Sequence, residues 1–271
     1  MAYTFGAATT DKITLVPGNG IVASGRGAIW AGWFYPTALT AGRCLWGTGA
    51  VAAGGTRCAI SATAGELDIT VDRLTTDSVS TTTGCGLVAN AWQFIAVAIT
   101  GFDTGPVTTV KVWIGTTTES PRAVTITAPT GTGAIQVSTT QVIGNGSSAA
   151  SLAFVGDIGN QFAVVSPTTG NLFGNTSGAI GAGAEETALN QIVIPFWKGE
   201  AVPTQWYNSQ NTLNSAIDVW SVNMDSPSTV CVGTNILVPI VPTTVTGATF
   251  TENKTPFQII GMQNMRSLVR R

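Results

Sequence analysis

From residue 1 to about 165 the chain is written as short β-prone runs cut apart by Gly, Thr, Ser, Asn and Pro, and few segments there carry a helical period. The runs KITLV, AIWAGWFYPT, RCLWGTG, TRCAISAT, ELDITVD, AWQFIAVAIT, TTVKVWIGT, AVTITA, IQVST, QVIGN and NQFAVVS are each about a strand long. The residues between them favour tight reversals, so consecutive strands are expected to run antiparallel. That many strands fill two sheets. The predicted fold class is all-β: an antiparallel two-sheet sandwich with an extended C-terminal region.

Alternation within the runs predicts which strands are central. AWQFIAVAIT sets Trp92, Phe94, Ala96 and Ala98 on one face and Ile95, Val97 and Ile99 on the other, which predicts a core strand covered on both sides with Trp92 buried. ELDITVD separates Leu67, Ile69 and Val71 from Glu66, Asp68, Thr70 and Asp72. That is the pattern of a strand with one wet face, its acids turned outward or into a groove.

After residue 166 the rhythm changes. NLFGNTSGAIGAGAEETALN reads as a long loop or arm, and QIVIP as a strand running into Pro195, followed by a short helix opening near Pro203 and Thr204. The prolines beyond suit edge strands or extended arms. Three regions follow: a sandwich over 1–166, a long loop, short helix and additional strands packing on it over 167–250, and a C-terminal arm over 251–271. No internal repeat of 20 to 50 residues is evident.

In strand order, residues 5 to 166 resemble the laminin G-like branch of the concanavalin A-like jelly rolls. GAIWAGWFYPT resembles that family's early aromatic-rich strand ending at Pro-Thr, RCLWGTG the next strand and GELDITVD the short one after it. ANAWQFIAVAIT resembles the family's Trp-containing central strand, VKVWIGT its successor, and VIGNGSS with FVGDIGNQFAVVS the closing pair. The resemblance implies a jelly-roll sandwich in which Trp33, Trp46, Trp92 and Trp113 are inner-face or edge aromatics; the alternative is a stacking platform for ligands. Two departures stand out. Ile114-Gly115 replaces the family's frequent Asp-Gly turn, and Gly159-Asn160 replaces a frequent acidic pair, so the calcium-binding and protein-recognition features of extracellular members are not carried over.

Composition narrows the function. Charged residues make up 10% of the chain, against about 25% in an average protein, so most of the polar surface is Thr, Ser, Asn and Gln. Such a surface suits packing against neighbours or contact with uncharged ligands. A net charge of −2 provides no field to attract nucleic acid. No stretch approaches about 18 uninterrupted apolar residues, and the start lacks a signal-peptide pattern, so neither a membrane span nor export by a signal is expected.

Histidine is absent, which removes Ser-His-Asp and Cys-His mechanisms and the commonest metal ligand. The remaining catalytic candidates are Glu66, Asp68 and Asp72, carboxylates on one strand face, as in jelly-roll glycosidases that place an acid and a nucleophile along a strand. Here the last acid is displaced from those enzymes' Glu-x-Asp-x-x-Glu spacing, and Thr and Ser replace the substrate-stacking aromatics. Asp103, Asp157 and Asp225 are too scattered for a calcium loop. Cys44, Cys58, Cys85 and Cys231 form no C-x-x-C pair and read as buried thiols, with a Cys44–Cys58 bridge across a hairpin as the alternative. GNG at 18–20 and GTG at 131–133 lack the length and context of a phosphate loop.

The expected function is that of a non-enzymatic virion structural protein, assembled in a host cytoplasm without a cofactor or metal: a capsid decoration (cement) protein stabilising a tailed-phage shell through subunit contacts. Its expected partners are the major capsid protein and copies of itself, as a trimer if it occupies threefold positions. A carbohydrate-binding adhesion or tail-associated module, with a surface glycan as partner, is the second reading, and a glycosidase the third. The expected partner-binding residues lie in the arm: Phe257, Ile259, Ile260, Met262 and Met265 as apolar contacts, with Arg266, Arg270 and Arg271 at the rim.

Overall fold

The computed structural model describes residues 2–6, 8, 10–15, 28–48, 55–100, 109–136, 140–146, 152–165, 189–199, 206–207, 213–214, 218–223, 230–233 and 242–251. Its strands are β1 (Ala2–Phe5), β2 (Lys12–Leu15), β3 (Ala28–Pro36), β4 (Arg43–Thr48), β5 (Arg57–Ile60), β6 (Leu67–Val71), β7 (Ser78–Thr83), β8 (Gln93–Thr100), β9 (Thr109–Thr116) and β10 (Arg122–Ile126). They continue with β11 (Gln141–Ile143), β12 (Leu152–Ala153), β13 (Gly156–Val165), β14 (Trp206–Tyr207), β15 (Leu213–Asn214), β16 (Asp218–Asn223), β17 (Val230–Gly233), β18 (Pro242–Thr246) and β19 (Thr249–Thr251). A π-helical turn over Leu189–Val193 runs into a short helix, α1 (Ile194–Trp197).

The pairings resolve into two sheets. In the first, β13, β3, β8, β9 and β10 lie side by side, and the far edge of β13 is shared by β1 and β16, with β19 beyond β1 and β17 beyond β16. In the second, the order is β18, β2, β11, β4, β5, β6, β7. All these pairs are antiparallel; β12 alone runs parallel to its neighbour, β4. The sheets join at two corners, where β10 leaves β9 to pair with β7 and where the chain passes from β18, paired with β2, to β19, paired with β1. The fold is an all-β jelly-roll sandwich, as expected. Its ladder does not stop at residue 166, because β16 to β19 extend it to Thr251.

Between the sheets lies a core built from the inward residues of both. Trp30 of β3 stacks on Trp46 of β4 with ring centroids 4.6 Å apart and planes at 23°. The Trp30 indole N–H donates to Gln141 Oε1 at 3.2 Å, so the interior contact leaves that polar atom satisfied. Gly32, between Trp30 and Phe34, has no side chain because the Gln161 amide fills that space.

A second core lies on the outer side of the first sheet, where Ile29, Ala31 and Trp33 of β3, Phe94, Ala96 and Ala98 of β8 and Trp113 of β9 are buried under Ile192, Val193 and Phe196. The two-sided burial expected for AWQFIAVAIT is therefore present from Phe94 onward. Trp92 is the exception, since β8 begins at Gln93 and Trp92 sits in the preceding connection, half-buried. QIVIP also differs from expectation: its residues form the π-helical turn and the first residues of α1, with Pro195 inside the first turn, where its missing N–H leaves no bond unmade. The apolar segment that covers this face is thus helical. The helix expected near Pro203 and Thr204 falls outside the described residues.

Candidate functional site

The expected wet face of β6 is not wet. Glu66 is buried at the start of the strand, accepting hydrogen bonds from Thr82 Oγ1 at 2.6 Å, Gly84 N at 2.8 Å and Cys85 N at 3.1 Å. Its carboxylate fixes the chain as it leaves β7. Asp68 accepts from Thr81 Oγ1 at 2.6 Å. Asp72 is 2% exposed beyond the end of the strand, where its backbone N–H donates to Thr56 Oγ1 at 3.2 Å. Burial, reinforced by the neighbouring Asp77 carboxylate, pushes the Asp72 carboxyl up to about 6, and Arg57 offsets part of this. Asp72 is the more deeply buried of that pair, so it is the one whose charged form burial disfavours. Glu66 and Asp68 are thus hydrogen-bonded within the fold, and Asp72 is buried beside Asp77.

The remaining sequence candidates separate in the same way. Asp157 is buried and accepts from Thr4 Oγ1 at 2.5 Å, while Asp103 and Asp225 lie outside the described residues. No cluster of three metal-ligating side chains occurs among the described residues. Cys44, Cys58 and Cys85 are free, buried thiols. Cys44 pairs with Ala59 and Cys58 with Trp46 across a register shift, so the two are offset along the β4–β5 ladder and do not face each other as a disulfide requires. Burial raises the thiols well above their ordinary range: Cys44 to about 11, against a small opposing effect of Arg57, and Cys85 to about 12 with Glu66 adding to the rise. Cys58, fully buried, is raised as well. None is a ready nucleophile at neutral pH. Residues 252–271 lie outside the described residues, and with them Phe257, Ile259, Ile260, Met262, Met265, Arg266, Arg270 and Arg271.

One open cleft, of about 520 Å³, lies at an end of the first sheet. Its walls come from the end of β3 at Tyr35, the connection before β8 from Val88 to Trp92, and the β9–β10 turn from Thr116 to Glu119. Tyr35 and Trp92 are both half-buried, with ring centroids 5.5 Å apart and planes at 56°. The connection is pinned by buried Gln93, whose Oε1 accepts from Val88 N at 3.2 Å, and by Asn90 N donating to Pro36 O at 2.7 Å. Asn90 adopts a left-handed φ of 59°, a conformation Asn tolerates better than most residues. Opposite, Thr116 Oγ1 accepts from Thr118 N at 3.2 Å and Glu119 N at 3.0 Å, and the Trp197 indole donates to Thr116 O at 2.9 Å. The strap over the outer face thus also braces the cleft.

Sequence reasoning places Trp92 in the core and Tyr35, with the other aromatics of GAIWAGWFYPT, mainly in the sandwich wall, with a ligand platform as the alternative; it does not single out Asn90 or Glu119. Trp92 falls one residue before the strand, and the available signal was the Ala-Asn-Ala turn preceding it.

The strand pairings define the class: an all-β, antiparallel jelly-roll sandwich. No family model matches the chain, and no curated protein matches it. Among solved structures, it is similar to the native heptameric SAP-like pentraxin from Limulus polyphemus, with a TM-score of 0.41 and 12% identity, covering 60% of this chain and 74% of the pentraxin.

Proposed function

We propose that this chain is a non-enzymatic structural protein of a virion, a capsid decoration protein that stabilises a phage shell by contacts with the major capsid protein and with copies of itself. The observation that carries the non-enzymatic part is the state of Glu66, which takes three hydrogen bonds from its own fold and so has no general acid or base work to do. The assembly part rests on a surface with few charges and on the apolar and basic residues that follow an edge strand. Among the described residues β19 pairs on one side only, with β1, and the chain continues from it into the segment containing Phe257, Ile259, Ile260, Met262, Met265, Arg266, Arg270 and Arg271. Such a segment buries its apolar side chains against a neighbouring subunit and sets its arginines at the rim. Repeated copies on a lattice offset the entropy of ordering each one.

The test is co-sedimentation of the purified protein with undecorated shells and, separately, with insoluble polysaccharide. Saturable recovery with shells, and shells that withstand higher temperature once decorated, are the expected results. Polysaccharide cleavage lost in Glu66→Gln would contradict the non-enzymatic reading, and absence of shell binding would contradict the structural one. The glycan-binding reading is favoured by a separate observation, the half-buried aromatic pair in the end cleft.

A further inference from the structure

We propose that the end cleft between Tyr35 and Trp92 is a metal-independent subsite for a neutral pyranose ring. The inference does not depend on the virion reading, because it rests on the cleft alone.

Trp30, Trp33, Phe34, Trp46, Phe94 and Trp113 are all buried and consumed by packing. Tyr35 and Trp92 keep part of their surface in an open cleft whose volume lies within the roughly 300–1,000 Å³ usual for small-molecule sites. A sugar ring matches such a wall. Its C–H faces are apolar and pack on aromatic rings, while its hydroxyls need donors and acceptors around the edge.

The cleft supplies them. Among the described residues the Tyr35 hydroxyl, the Trp92 indole N–H, the Asn90 amide and the Glu119 carboxylate have no hydrogen-bond partner within the fold, while the backbone carrying Asn90 and Glu119 is held by the bonds from Gln93, Pro36, Thr116 and Trp197. The walls are therefore fixed before a ligand arrives, which lowers the ordering cost of a weak contact. Charge narrows the ligand class. Glu119 is the charged residue of the lining, so sugars bearing carboxylates or sulfates meet repulsion and neutral hexopyranoses do not.

The experiment uses the full chain and three sets of probes: methyl glycosides of neutral hexoses and N-acetylhexosamines, their neutral oligosaccharides, and matched sialylated or uronic-acid sugars. Ligand-observed saturation-transfer NMR reports contact and titration gives affinity. The expected result is binding of at least one neutral pyranose that is unchanged by EDTA, with acidic sugars silent. Trp92→Ala and Tyr35→Ala should each weaken it by at least about tenfold with the fold retained. Thr118→Leu, which adds bulk to an exposed turn of the cleft without adding an aromatic ring or touching the core, should weaken it by at least about tenfold and serves if either aromatic variant fails to fold. A preference for oligosaccharides over single glycosides would indicate a polysaccharide chain as the source of the ring, equal affinity a terminal or free sugar. Absence of transfer to every neutral sugar would overturn the proposal, as would binding left unchanged by Thr118→Leu or lost with EDTA.

Discussion

Asp72 is the residue at which burial and charge conflict most plainly. Its carboxyl is pushed up to about 6 by burial and by Asp77, and its Oδ2 finds no hydrogen-bond partner among the described residues. An acid whose pKa is higher folded than unfolded binds more protons in the folded state between the two values. Its contribution is therefore fully present below the unfolded value, about 3.9, and is lost as pH rises through about 6. Asp72→Asn keeps the shape and presents an N–H to Asp77. The variant should melt higher than the parent above about pH 6 and nearly with it near pH 4, as followed by calorimetry across that range. A parent and variant that differ equally at every pH would show that Asp72 is ionised throughout. Glu66 has the opposite character: three donors face it, so a carboxylate that looked available in the sequence is a structural fastener. Spacing along a strand gives the face on which an acid lies. It does not say which loop folds over that face, and here Thr82, Gly84 and Cys85 come from 16 to 19 residues away.

The elements that alternate cleanly between apolar and polar, or that are apolar on both faces, were the ones legible in advance: β3, β4, β8 and β9 match their expected runs within a residue or two. β7 was not legible. Its inward positions are Ser78, Ser80 and Thr82, buried hydroxyls in place of apolar side chains, so it carries no hydrophobic period to detect. The segment QIVIPFW has strand-like composition but lies across an apolar sheet face, where a helix can cover aromatics with its own backbone bonds closed internally. That covering makes the outer face of the first sheet a core. Trp33→Ala should consequently cost about 3–5 kcal/mol, the range for removing a fully buried large side chain. Trp92→Ala, at a half-exposed cleft, should cost about 1–2 kcal/mol. Denaturant midpoints of the two variants provide the check, and a costlier Trp92 would return that residue to the core.

At the scale of the whole molecule, the sandwich is closed by its last described strands. β18 pairs with β2 and β19 with β1, so removing them bares an edge of each sheet at once. A chain ending at Val241 should melt well below the full chain or fail to fold, whereas one ending at Thr251 keeps every described pairing and should melt with it. Sequence pattern alone set the sandwich's end near residue 166 because these late strands are short and interrupted by proline, and their partners lie more than two hundred residues away in the sequence. The segment after Thr251 is where the assembly reading makes its commitment. Undecorated shells mixed with the full chain or with the chain ending at Thr251, followed by counting of bound copies per shell, test it most directly. Full occupancy by the intact chain and strongly reduced occupancy by the shortened, still folded one is the predicted result. Equal occupancy by the two would contradict it.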